Sequence, residues 1–258
     1  MNVIIQNKYI SLFDAVIVHG SFSSNEIIPY SDFDGLLILK NDDLNSKLLK
    51  GFIKKTNQTI RSFDPLQHHS WFILKRSDLT NYDETYFPLE LFKYSKLIYP
   101  EYDFTFEVKL KENIDFLKPF DDLSSSILNK IKRKNYKKNA FHLKSYLSQI
   151  MLLPCLYLQA KNKKGVYKKN SFSDAENDFD KSYWEVITIS SNLRITWSYK
   201  INYIQKFIAK SDNYIINYFY KNYLAPSING DIGQKINHDF NKLLICLINQ
   251  MRENLKNY

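Results

Sequence analysis

The sequence predicts an α+β chain of two domains: a sheet domain with flanking helices over residues 1–118, then an all-helical bundle over residues 119–258. Three observations predict it. Over the first 110 residues short apolar runs alternate with helical patterns. From about residue 120 onward apolar residues recur at spacings of three and four, with few strand signals. Between the two textures stands Pro119, followed by FDDLSSSI, whose acids and serines suit a helix start. At 258 residues the chain is long enough to bury a core in each half.

The elements follow in order. A helix near residues 3–12 leads into the strand AVIVHG and then FDGLLILK. A helical stretch runs through LNSKLLKGFIKKT, and TIRSFD and SWFILK read as further strands. Asp78, Asp83 and Glu84 lie in a polar stretch that reads as a surface loop. The second half carries helical patterns over 121–161, 183–193, 199–223 and 232–255. Its most polar segment, KNKKGVYKKNSFSDAENDFD, reads as a loop entering a helix, with Gly165 ending the helix before it and Asn170 or Ser171 capping the next. Trp184, Trp197, Tyr199, Tyr203 and Phe207 recur at helical spacing and read as core. Arg194 stands between apolar residues, which leaves two readings: a buried charge that needs an anion, or a residue on a polar helix face.

Composition narrows the function. Hydrophobic residues make up 44% of the chain and aromatics 16%, which excludes a disordered polypeptide. No run of 18 apolar residues occurs and MNVIIQNKYISLF is interrupted by Asn, Gln and Lys, so the expectation is a soluble cytoplasmic protein without a membrane partner. Cys155 and Cys246 are far apart in apolar stretches and read as small core residues, not as a disulfide or zinc framework. The formal charge of +9 attracts anions such as nucleotides, RNA or an acidic surface, although part of the Lys content accords with AT-rich coding. Six basic residues crowd KIKRKNYKK at 130–138, where they fall all round a helix and read first as a solvated face. Five crowd KNKKGVYKK at 161–169.

Residues 18–39, VHGSFSSNEIIPYSDFDGLLIL, carry the chemistry. Residues two apart in a strand share a face, so Asp32 and Asp34 point the same way where an apolar strand begins. Two carboxylates held together repel unless a cation lies between them, and magnesium takes such oxygen ligands together with substrate phosphates. Gly20 lets the backbone approach a phosphate closely, and the Ser21 hydroxyl with the N–H groups of the following turn offers donors to its oxygens.

Gly20, Ser21, Asp32 and Asp34, with Ser31 before the pair, resemble the signature of the nucleotidyltransferase superfamily built on the polymerase-beta-like fold. The helical second half makes the chain similar in architecture to the small two-domain antibiotic-type nucleotidyltransferases. This resemblance implies an enzyme with a mixed sheet in its catalytic domain and two Mg2+ ions bridging the acids and an NTP, with ATP the expected donor and AMP the group moved. An acceptor hydroxyl attacks the α-phosphorus in line and pyrophosphate leaves. It also implies a third acid on a later strand. Asp64 is the first choice, with His69 the runner-up and His68 beside it; adjacent strand residues face opposite sides, so at most one of the two histidines is expected at the site. A lysine near a helix start in the second half reaches the triphosphate in such enzymes, and Lys168 or Lys169 is the match here. The acceptor is a small-molecule hydroxyl, or alternatively a tRNA or partner protein; a nucleotide-binding module without turnover is the third reading.

Overall fold

The computed structural model describes residues 7–100, 105 and 107–256. The described part of the first helix is α1, Asn7–Ile10; residues 3–6 of the expected helix lie outside the described residues. β1, Phe13–His19, runs to a glycine and a single helical turn, α2, Ser21–Ser24. β2, Asp34–Leu39, returns antiparallel to β1. After α3, Lys47–Phe63, β3, Phe72–Leu74, pairs parallel to β2. A further helical turn, α4, Leu89–Phe92, leads to β4, Lys96–Tyr99, which pairs antiparallel to the other side of β1. The sheet order is β3-β2-β1-β4, and the sheet is mixed, as expected.

Alternation along β1 and β2 splits their side chains between two cores. Val16, Val18, Phe33, Leu37 and Leu39 pack with Leu49, Phe52 and Ile60 of α3 and with Trp71. Ala15, Ile17, Leu36 and Ile38 pack on the opposite face with Leu74, Leu79, Tyr82 and Phe87. Both faces of the central strands are therefore covered, which is why they read in the sequence as nearly continuous apolar runs.

The stretch TIRSFD corrects one expectation: it is the last part of α3, not a strand. Thr59 and Ile60 are β-branched, but Leu49, Phe52 and Ile60 keep one helix face buried from start to finish. That amphipathic continuity outweighs local strand preference. β4 was not expected from the sequence. It is a short edge strand of four residues, half-exposed, with only Leu97 and Ile98 between Lys96 and Tyr99 to mark it.

The second half begins with α5, Leu117–Arg133, whose buried Pro119 lies in its first turn as the sequence indicates. α6, Ala140–Ile150, α7, Leu153–Asn162, α8, Ser171–Glu176, and α9, Lys181–Ile195, follow. α10, Tyr203–Ala209, and α11, Tyr214–Phe219, run into a π-helical turn at Tyr220–Leu224. α12, Gly230–Lys235, and α13, His238–Leu255, follow. α5, α6, α7, α9 and α13 enclose a third core, which includes Trp184 and Trp197. Tyr203 and Phe207 depart from expectation: they are 84% and 70% exposed on α10, beside exposed Tyr214 and Ile215 of α11. Their helical spacing places them on one face, but no element among the described residues covers that face. No helix among the described residues is long and apolar enough to cross a membrane.

Two residues of the first half, Tyr30 and Leu66, belong to the helical core. Each lies two positions from an acid, Asp32 and Asp64 respectively. The acid-bearing loops are thus pinned at the seam between sheet and helices.

Candidate active site

The two parts of the Gly-Ser and Asp-x-Asp motif meet because β1 and β2 are antiparallel neighbours. His19, the last residue of β1, is the register partner of Asp34, the first of β2. The backbone turns away at Gly20, which has φ +69°, a conformation that favours glycine. A Cβ at this position would stand 2.8 Å from Asp34 Oδ2. Gly20 therefore both makes the turn and leaves room for the carboxylate against the backbone. Ser21 opens the helical turn that follows, and the single hydroxyl hydrogen of Ser23 lies between the carbonyls of Gly20, 2.8 Å from Oγ, and Tyr94, 2.7 Å from it.

The residue between the acids is held by a side chain that sequence reasoning passed over. Buried Gln67 accepts from Phe33 N at 3.0 Å and donates from Nε2 to the Phe33 carbonyl at 2.8 Å and the His69 carbonyl at 3.1 Å. Its amide behaves as a one-residue strand added to the segment just before β2. One residue into β2, Trp71 lies against Gly35 so closely that a Cβ there would meet the ring at 2.3 Å. Asp32 and Asp34 thus project from a backbone held by Gln67 at Phe33 and packed by Trp71 at Gly35.

Asp64, expected at a strand end, is instead the C-terminal cap of α3. It still comes to Asp32, through a residue that sequence reasoning also passed over. Lys144 Nζ lies 2.6 Å from Asp64 Oδ2 and 2.7 Å from Asp32 Oδ1; the second contact is an ion pair without hydrogen-bond alignment. The Tyr30 hydroxyl donates to the Lys144 carbonyl and shares a 2.7 Å bond with Ser148 Oγ. The Tyr30 ring has the Lys144 ammonium 5.3 Å from its centroid and the Arg194 guanidinium 4.8 Å from it. Arg194, undecided from sequence, is thus the partly buried cation of this cluster. The signal for Lys144 was present: it lies on the same helical stripe as Ala140 and Leu147, where an unpaired charge is costly.

The histidines also differ from expectation. Residues 64–71 form a turn and an irregular segment, not a strand, so both imidazoles come to Asp32. One donor atom from each of Asp32, His68 and His69 falls within 4.8 Å of the others. His68 Nδ1 stands 3.7 Å from Asp32 Oδ1, beyond hydrogen-bond reach, and both of its ring nitrogens are buried without a partner among the described residues.

Lys168 and Lys169 separate in role. The strap from Gly165 to Lys169 is tied to the first half at three carboxylates. Glu84 accepts from Gly165 N at 2.9 Å, Glu90 accepts from Tyr167 N at 3.0 Å, and Glu26 pairs with Lys169. Tyr167 stacks on Tyr94 with centroids 4.2 Å apart. Lys169 is spent on this exposed pair, while Lys168 turns inward. Glu84 is accordingly no surface-loop residue but a buried ligand to the strap. Gly165 does not end α7, because Lys163 takes the left-handed cap at φ 52°.

The electrostatics follow from crowding and burial. Burial and the charge of Asp32 push the Asp34 carboxyl up from 3.8 to about 7. Burial and Arg194 bring the Lys168 ammonium down to about 8, opposed by the two aspartates. Burial, with a contribution from His69, lowers His19 to about 4; burial and His69 lower His68 to about 2, so both are neutral at pH 7. Burial raises Asp64 while Lys144 opposes it. A carboxylate held partly protonated by its neighbour is a fit for a divalent ion, which relieves that repulsion, so Asp32 and Asp34 suit Mg2+. Asp64 does not suit it in the same way, because Lys144 already neutralises the oxygen that faces Asp32.

No protein-family model matches the chain, and no curated protein matches it. A solved structure does. The chain resembles an antibiotic nucleotidyltransferase. That protein is spectinomycin adenyltransferase AAD(9) from Enterococcus faecialis, solved with ATP and spectinomycin. The two are 15% identical, the match covers 84% of this chain and 94% of that one, and the TM-score is 0.44.

Proposed function

We propose that the chain is a Mg-dependent nucleotidyltransferase that moves a nucleoside monophosphate, AMP from ATP in the first instance, to a hydroxyl acceptor and releases pyrophosphate. The observation that carries this reading is the Asp32–Asp34 pair. Its second carboxyl is raised to about 7 by burial and its neighbour, and it lies against the Gly20 turn with Lys168 brought in by the strap.

Asp32 and Asp34 hold the divalent ion. When bound there, it neutralises charge that develops on the α-phosphate and on the leaving pyrophosphate. Ser21 and the turn behind it donate to phosphate oxygens, and Lys168 supplies a point charge to the triphosphate. Lys168 is the better choice over Lys169, which is exposed and paired with Glu26. The acceptor's proton goes to His69, neutral and exposed beside Asp32, because the Asp64 carboxylate is committed to Lys144. Gln67 holds the His69 backbone and so sets the imidazole against the acid pair.

A hydroxyl acceptor of small size fits better if it is not a polycation. Lys144, Lys168 and Arg194 line the seam, and the carboxylates suited to an amine, Glu26, Glu84 and Glu90, are used to hold the strap. The experiment is transfer of label from each α-labelled NTP, with Mg2+, into fractions of small metabolites, RNA and protein. Labelled product is expected from wild type and lost in the Asp32→Ala, Asp34→Ala double variant. Equal transfer by that variant would refute the assignment.

A further inference from the structure

Lys144 reaches the acids from the helical half of the molecule. It is carried on the buried stripe of α6, its side chain is 2% exposed, and its Nζ touches Asp32 at 2.7 Å and Asp64 at 2.6 Å. A lysine is almost never buried this deeply unless it is paired, and removing one partner of such a set is strongly destabilising. The side chain also has little freedom to leave. Tyr30 bonds to its carbonyl, presents its ring to its ammonium, and is itself 1% exposed within the helical core.

A two-metal phosphoryl-transfer site needs its ions roughly 3.5–4 Å apart, with carboxylates shared between them. In this chain a cation already stands between the first acid of the pair and the third acid, and that cation is an ammonium group. We propose that Lys144 takes the place of one of the two divalent ions. The site then works with a single ion, held by Asp32 and Asp34 and by the nucleotide, while Asp32, Lys144 and Asp64 form a fixed ion-paired array beside it. Lys144 and one divalent ion together balance the three carboxylates. An ammonium neutralises charge but cannot coordinate the acceptor hydroxyl and acidify it as a metal does. The acceptor proton therefore needs a protein base, which agrees with the role given to His69. Lys144 is in this account a positioning residue, acting through Asp32 on the ion and the nucleotide.

The inference rests on the nucleotidyltransferase reading, and counting ions separates the two. Full-length protein is dialysed against saturating Mn2+ with an α,β-methylene NTP analogue, and the Mn2+ bound is measured per nucleotide bound. One Mn2+ per nucleotide is expected, with a loss of at least tenfold in Mn2+ affinity in Asp34→Asn. Two per nucleotide would overturn the role of Lys144 and leave the nucleotidyltransferase reading intact. No binding of nucleotide or Mn2+ would overturn both. In Lys144→Ala, checked for native folding by near-UV circular dichroism, the vacated space admits a second ion and the count rises to two. A folded variant that still binds one would assign the single ion to some other cause. The wild-type count is itself a test should that variant not fold.

Discussion

Replacing Gln67 with leucine tests whether one amide holds the acid pair in place. The side chains are similar in size and the site is buried, so the substitution chiefly removes hydrogen bonds: 3.0 Å from Phe33 N, 2.8 Å to the Phe33 carbonyl and 3.1 Å to the His69 carbonyl. A buried backbone group left without a partner costs about 1–3 kcal/mol. The Phe33 N–H and carbonyl are the two that water is least able to reach, because Phe33 lies in the core with Trp71, so the expected loss is about 2–6 kcal/mol. For a chain of this size, at about 2–4 °C per kcal/mol, that is a fall in Tm of roughly 4–24 °C. Gln67→Glu is the informative companion. It keeps an acceptor for Phe33 N, loses both donors, and adds a negative charge near Asp32, so it is expected to weaken nucleotidyl transfer at least as much as leucine does. Thermal and urea unfolding measure the first effect and single-turnover transfer the second. A Gln67→Leu protein within 0.5 kcal/mol of wild type, with unchanged transfer, would refute the idea that this amide positions the acids.

Gly20→Ala combines a left-handed backbone with a Cβ 2.8 Å from Asp34 Oδ2; it should cost about 1–2 kcal/mol from conformation alone and displace the carboxylate, seen as a loss of Mn2+ affinity by calorimetry. Asp34 titrates at about 7 in the folded metal-free protein against 3.8 ordinarily, so the native state holds the proton more firmly. Its contribution to stability is then full below pH 4 and is lost as pH rises to about 7. The stability of wild type relative to Asp34→Asn should fall across that window, and Mg2+ should restore it most at pH 8; a flat difference would show that burial does not hold the proton. Lys168→Met should weaken binding of an NTP analogue by roughly 10–100-fold, the value of one charge-assisted hydrogen bond, while Lys169→Met leaves it within about threefold. Glu84→Ala should resemble a weaker Lys168→Met in the same titration, since Glu84 is the buried tie of the strap.

What the sequence disclosed follows from distance along the chain. Gly20, Ser21, Asp32 and Asp34 sit within one strand-turn-strand unit, and β1 and β2 announce themselves because both faces are buried. Pro119, expected near a helix start for the same local reason, lies in the first turn of α5. Gln67 meets Phe33 from 34 residues away, Lys144 meets Asp64 from 80, and Glu84 meets Gly165 from 81. No local pattern encodes those pairings. Asp64 is expected at a strand end and stands instead at the end of α3. Strand alternation, expected to separate His68 from His69, does not apply to residues 64–71. Tyr203 and Phe207 show the limit of periodicity, which identifies a shared helix face but not what lies against it.

The sheet and helical halves read as separate in sequence, yet the candidate site is made by exchange across their seam. Tyr30 and Leu66 leave the first half to complete the helical core, and each draws an acid-bearing loop with it. In return, Lys144 and Lys168 cross from the helical half to the acids, and Glu26, Glu84 and Glu90 of the first half fix the strap that carries Lys168. A fragment of residues 1–118 would therefore keep its own two sheet cores while exposing Tyr30 and Leu66. It would also leave Asp32 and Asp64 without their shared cation, with their mutual repulsion unrelieved. Such a fragment should retain sheet structure by circular dichroism and bind no Mg-NTP analogue. Nucleotide binding by the fragment at the affinity of the whole chain would show instead that the acids need nothing from the helices.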